Sequence, residues 1–216
     1  MHAAEIIAQL RAQADPRNVA GQQRFGIRSA AEQLGLAMPV LREIARAHCR
    51  QHALALELWD SGIHDARLLA TLIADPRQIT RSQAERWVRD CDNWAATDAL
   101  AFLLDRTDFA EAKALAWSAR SAEFVKRAGF ALMAGMAVHR KDLPDEVFLR
   151  LLPVIALEAT DERNFVKKAV NWALRQIGKR NPRLRRTAIA EARRIAKIDS
   201  RAARWIAADA LRELQR

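Results

Sequence analysis

The sequence predicts an all-α protein built as a stack of antiparallel helix pairs, an α-solenoid. Three observations carry this. Ala, Leu, Arg, Ile and Glu dominate, while Gly and Pro number only 7 and 6 in 216 residues, a composition that favours helix. Apolar residues recur at three- and four-residue spacing in segment after segment, and no stretch alternates cleanly with a period of two. The breaks are short, carry caps and prolines, and include no Asn-Gly or Asp-Gly hairpin turn. About twelve helices in pairs fill one domain over residues 1–216, with no fixed repeat period visible, so any repeats are degenerate. A stack of this kind has a curved inner face that could hold a duplex.

Taken in order, residues 2–14 form an amphipathic helix with Ile6, Ile7 and Leu10 on one side, ended by Pro16. Gly21 to Ile27 reads as a connection or short helix. Ser29 is a candidate cap for a short helix over 30–34, stopped by Gly35. Pro39 opens a longer helix with Leu41, Ile44, Ala45 and His48 on one face. Ala53 to Asp60 follows and breaks at Ser61-Gly62; then Ile63 to Ala74 closes at Asp75-Pro76. Thr80 caps Arg81 to Asp90, whose core contacts are Trp87 and Val88. Further helices are expected over 92–105, 109–118, 121–138, 144–159, 162–179, 183–197 and 200–214. Pro144 and Pro182 fit first turns, Ser121 and Asp161 fit N-caps, and Pro153 falls inside a helical run that it should kink.

The net charge of +10 is unevenly placed. Residues 161–216 hold 16 Lys/Arg against 6 Asp/Glu, whereas residues 1–160 hold 20 of each sign, so the whole excess sits in the last quarter. Such a local excess attracts polyanions, and could equally meet anionic lipid or an acidic protein. No apolar run reaches the ~20 residues of a membrane span, and the N-terminus lacks a signal-peptide pattern, so a cytoplasmic protein is expected. Cys49 and Cys91 make neither a disulfide framework nor a metal spacing. There is no Gly-rich phosphate loop, no zinc cluster and no nucleophile–His pair; His48, His52 and His64 are scattered. No cofactor or metal, and no obligate protein partner, is expected.

Three helices carry an unusual residue opposite their core stripe. In Phe165 to Lys179 the stripe is Val166, Val170, Ala173, Leu174 and Ile177. Trp172 points roughly 140° away from it, among Phe165, Lys168, Arg175, Gln176 and Lys179. An indole among cations suits an anion that also carries flat apolar groups, as nucleic acid does; packing on a neighbouring helix would also explain it. In Cys91 to Leu104 the core side is Leu100, Leu103 and Leu104, while Trp94 and Asp98 lie opposite, four residues apart. There a carboxylate can stabilise developing positive charge and an indole can hold a cation; an inter-helix salt bridge is the alternative. Arg127 faces away from Val125, Ala128, Leu132 and Met136, where it could meet a phosphate or pair with Glu123.

The ordered set Leu58-Trp59-Asp60, Trp94-x-x-x-Asp98, Phe124-Val-Lys-Arg127-Ala and Phe165-Val-Lys-Lys-Ala-Val-Asn-Trp172-Ala-Leu-Arg175 resembles the AlkD family of bacterial DNA alkylation repair proteins, which are built from HEAT-like repeats. Gly35-Leu-Ala-Met-Pro39-Val-Leu-Arg42 fits the family's N-terminal pattern. The resemblance covers most of the chain. It implies a monofunctional DNA glycosylase that excises N3- and N7-alkylated purines, with Trp94, Asp98 and Trp172 at the catalytic cleft and Arg127 on the DNA backbone. The chain departs from the family in having no tyrosine, so an aromatic DNA contact that the family makes through Tyr near the N-terminus is missing. Spacing in the first forty residues differs as well.

The residues support a mechanism beside that resemblance. An N3- or N7-alkylated purine is cationic and leaves readily, and breaking its glycosidic bond creates an oxocarbenium-like sugar. Asp98 is the candidate to stabilise that charge or orient water; Trp94 and Trp172 would hold the sugar and the lesion. Duplex DNA is the expected partner, met mainly through phosphates by Arg127, Lys168, Arg175 and Lys179 along a concave cationic groove. Two other readings stay open: a noncatalytic DNA-binding scaffold for damaged or branched DNA, and a protein-interaction solenoid with an acidic partner.

Overall fold

The computed structural model describes residues 2–216, and among these it contains thirteen α-helices and no strand. The chain divides into two compact units between Leu103 and Leu104. No helix among the described residues is long and apolar enough to cross a membrane.

The first unit holds α1 (Ala3–Ala12), α2 (Pro16–Arg24), α3 (Met38–Ala47), α4 (His52–Asp60), α5 (His64–Ile73), α6 (Arg81–Arg89) and α7 (Trp94–Leu104), the last ending at the boundary. Pro16 does not simply end a helix. It occupies the first turn of α2, where its missing N–H costs nothing, and the Asp15 carboxylate accepts from the N–H groups of Arg17 and Asn18. The helix expected over 30–34 is absent. That stretch is a bend held from outside, with one parallel bridge from Glu32 to Ile63. Ser29 caps no helix; its hydroxyl and the Ala30 N–H both donate to Asp92, at 2.8 and 2.6 Å. The fully buried Asp65 carboxylate takes the N–H groups of Leu34 and Leu36 at 2.7 and 2.8 Å. Charge-assisted bonds of this kind outcompete a single helical turn for those backbone donors. Between them Gly35 turns at φ +79°, and a Cβ there would sit 2.4 Å from the Asp15 carbonyl. Elsewhere in the first unit the Trp59 and Trp87 rings stack at 4.2 Å, with the Arg67 guanidinium 5.5 Å from the Trp59 ring centre. Thr80 caps α6 as expected, accepting from the Gln83 N–H at 3.1 Å.

The second unit holds α8 (Ala110–Ser118), α9 (Glu123–His139), α10 (Asp145–Leu157), α11 (Asn164–Lys179), α12 (Pro182–Ile195) and α13 (Arg201–Leu214). These pack as two layers, α8, α10 and α12 in one and α9, α11 and α13 in the other. Antiparallel helix pairs therefore stack as the periodicity predicts. Close approach of α8 and α9 depends on Gly129, where a Cβ would lie 2.4 Å from the Ser118 nitrogen. Within the second layer neighbouring helices run in a constant register. Arg127 reaches Phe165, Asn171 reaches Asp209 and Arg175 reaches Glu213, each 38 residues apart.

Cap positions differ in part from expectation. Asn181 and Ser200 cap α12 and α13 through their side chains, but Ser121 and Asp161 do not cap α9 and α11; Ala122 and Arg163 stand there without a side-chain bond. Asp161 is instead drawn to Arg163, at 2.5 Å, and to Lys126, at 3.4 Å. Burial works to raise its pKa, but these cations and the Arg163 N–H outweigh it and hold the carboxyl below the ordinary range. Pro144 precedes α10 as its N-cap, and Pro153 lies inside that helix.

Candidate nucleic-acid interface

Helix α7 begins at Trp94 because Asn93 caps it. The buried Asn93 side-chain oxygen accepts the N–H groups of Ala95 and Ala96 at 3.1 Å each. The Asn93 amide in turn donates to Asp92, at 2.9 Å, and Asp92 is the carboxylate that gathers Ser29 and Ala30. The loop after α2 and the first turn of α7 are thus one hydrogen-bonded body. His64 lies beside it, its ring 3.4 Å from the Asn93 amide. Burial lowers the His64 pKa against the pull of Asp65 and Asp92, which favours the neutral ring.

On this body the Trp94 indole N–H donates to the Phe25 carbonyl at 3.0 Å, which fixes the plane of the ring. Leu100, Leu103 and Leu104 are buried, and Trp94 and Asp98 share the half-exposed side of α7, as their spacing predicts. Phe25 stands 78% exposed beside them. Sequence reasoning did not single it out. Its signal was an aromatic in a polar segment, the same test that picked out Trp172.

The remaining sequence-derived residues lie on α9 and α11 of the second unit. The α11 stripe Val166, Val170, Ala173, Leu174 and Ile177 is fully buried, while Trp172 is half-exposed and Lys168 exposed on the far side. Arg127 departs from expectation. It is only 6% exposed, and its guanidinium donates to the Phe165 carbonyl at 2.7 Å. Phe124 and Phe165 pack their rings 5.6 Å apart alongside. The cation thereby ties the second turn of α9 to the first turn of α11, a requirement of helix stacking that one helix read alone does not reveal.

Arg175 and Lys179 differ from Lys168. Both pair with Glu213 of α13, and Arg175 lies 3.6 Å from Asp209. The Lys179 hydrogen bond, with Arg175, holds the Glu213 carboxyl below its usual range. Asp209 is also lowered: burial opposes this, but Asn171, Arg175 and Arg212 prevail. Arg175 and Lys179, both expected phosphate contacts, are therefore already engaged by carboxylates. A further aromatic was missed: Trp205 on α13 is 41% exposed, with the Lys167 ammonium 5.3 Å from its ring centre.

Among the described residues no group of three His, Cys, Asp or Glu could hold a metal ion. The arrangement offers an oriented indole beside a carboxylate on α7, and a Trp–Lys surface on α11.

The family model described as DNA alkylation repair enzyme matches residues 6–214. No curated protein matches the chain. A solved structure described as "A new family of proteins related to the HEAT-like repeat DNA glycosylases with affinity for branched DNA structures" is similar over 99% of this chain and 96% of its own, with a TM-score of 0.81 and 21% identity. At that identity the likeness shows the HEAT-like fold.

Proposed function

Because the chain belongs to the family of DNA alkylation repair enzymes, we propose that it is a monofunctional glycosylase releasing N3- and N7-alkylated purines from duplex DNA. The observation that carries this reading is Asp98, one helical turn from an indole whose plane is fixed by the Phe25 carbonyl, on the half-exposed side of α7. The bond that breaks joins C1′ to the purine nitrogen. Its electron pair leaves with the base, which departs neutral because alkylation had made it cationic. Positive charge then spreads over C1′ and the ring oxygen, where the Asp98 carboxylate stabilises it. Water adds to C1′ and loses a proton to Asp98 or to solvent, leaving an abasic site. Trp94, on the same side of α7 as Asp98, offers an aromatic face to the sugar or the cationic lesion, and Trp172 on α11 offers one to bound DNA. Lys168 meets phosphate; Arg175 and Lys179 do so to the extent that DNA displaces Glu213.

One observation favours a second reading. The similar solved structure belongs to proteins described as having affinity for branched DNA, so a noncatalytic DNA-binding role is its natural competitor. Single-turnover release of free base from an N7- or N3-methylated duplex separates the two. Wild type should release base, and Asp98→Asn should be slower by ~10²–10³ with binding to undamaged duplex unchanged. Equal rates would remove Asp98 from the chemistry. No release by wild type from either lesion would leave the binding reading.

A further inference from the structure

We propose that Trp205 is a stacking platform for an unpaired nucleobase, a second DNA contact outside the excision chemistry. The proposal rests on the reading that this protein binds DNA. Helix α13 buries Ala202, Ala203, Ile206, Ala207, Ala210 and Leu214, and an indole facing away from this stripe is not part of it. Trp205 is that indole, at 41% exposure. Arg201 precedes it by one turn on the same face, and the exposed Ala208 follows by one turn, so an arginine and an open methyl flank the ring. Lys167 lies over the ring from α11. An aromatic face ringed by cations is complementary to a base attached to phosphates, and every base has a π-face, so the contact needs no particular sequence.

The register of the two helices places this platform. Lys167 meets Trp205, Asn171 meets Asp209 and Arg175 meets Glu213, so α11 and α13 run parallel, side by side. The outward side of α11, bearing Lys168 and Trp172, therefore continues directly into the outward side of α13, bearing Arg201 and Trp205. With helix axes about 8–10 Å apart and the rings displaced by roughly one turn, the two indoles are on the order of 10–15 Å from each other. A strand tracking the phosphate contacts of α11 reaches Trp205 within a few nucleotides. In an intact duplex the bases are stacked on each other and present only edges, so Trp205 has nothing to stack on. A single-stranded flank, gap or junction supplies the free face.

The test compares three labelled, undamaged DNAs by fluorescence anisotropy: a single-stranded oligo-dT, a three-way junction with an unpaired branch point, and a blunt hairpin duplex. Trp205→Ala should weaken binding to the first two by roughly five- to hundredfold while leaving the blunt duplex within about twofold. Trp205→Phe, which keeps an aromatic face, should recover most of the loss, and circular dichroism melts should show both variants folded. Unchanged affinity for oligo-dT and the junction overturns the proposal, and so does an equal loss on all three DNAs. Absence of wild-type binding to any of them overturns the DNA reading itself, a result distinguishable from failure of Trp205 alone.

Discussion

On the proposed DNA-binding reading, Glu213 withholds part of the α11 surface from DNA, and Glu213→Gln tests this. The carboxylate holds both Arg175 and Lys179, and its own charge lies beside the surface that phosphates would approach. Each phosphate that a cation neutralises contributes about −0.9 to the slope of log K against log salt. Glu213→Gln releases Lys179, whereas Arg175 keeps Asp209 at 3.6 Å, so the slope for undamaged duplex should steepen by roughly one unit and affinity should rise most at low salt. The fold should survive. The Glu213, Arg175 and Lys179 side chains retain 27%, 28% and 42% exposure, and pairs so open to solvent contribute about 0–1 kcal/mol each. The same residue gives a pH signature. Its carboxyl is held below the ordinary 4.5, so its stabilisation is present above that value and is lost as pH falls through the lowered pKa. The melting-temperature gap between wild type and Glu213→Gln should be full at neutral pH and close on the acid side of 4.5. Anisotropy titrations at four salt concentrations supply the slope. A variant with wild-type slope and affinity would refute the idea that Glu213 withholds these cations from DNA.

Two further substitutions distinguish exposed from engaged cations. Lys168→Ala should lower the salt slope by about one unit, whereas Lys179→Ala should lower it by clearly less, because Lys179 already has Glu213; equal changes would contradict this. Arg127→Ala leaves the Phe165 carbonyl without its guanidinium donor, at a cost of about 1–3 kcal/mol, so thermal melts should fall by roughly 2–10 °C. A melting temperature at the wild-type value would show that Arg127 does not tie α9 to α11.

Much was decided by local sequence. Helical periodicity specified the class and nearly every helix after residue 38, since each amphipathic segment carries its own core stripe. It also assigned Trp94, Asp98, Lys168 and Trp172 to partly or fully solvent-facing sides, because a side chain's direction follows from its place in a 3.6-residue turn. The helix expected over 30–34 does not form because the backbone donors of Ala30, Leu34 and Leu36 are claimed by Asp65 and Asp92, carboxylates about 30 and 60 residues onward that no local pattern reveals. The cations tell the same story. Lys168, Arg175 and Lys179 look alike along α11, yet Glu213 and Asp209 come from a helix 38 residues onward and engage two of the three. Arg127, outward by its own helix, is enclosed because α11 stacks against α9 and offers a carbonyl within reach. Periodicity sets which way a side chain points; what it meets there depends on helices distant in sequence, and only the packed structure brings those together.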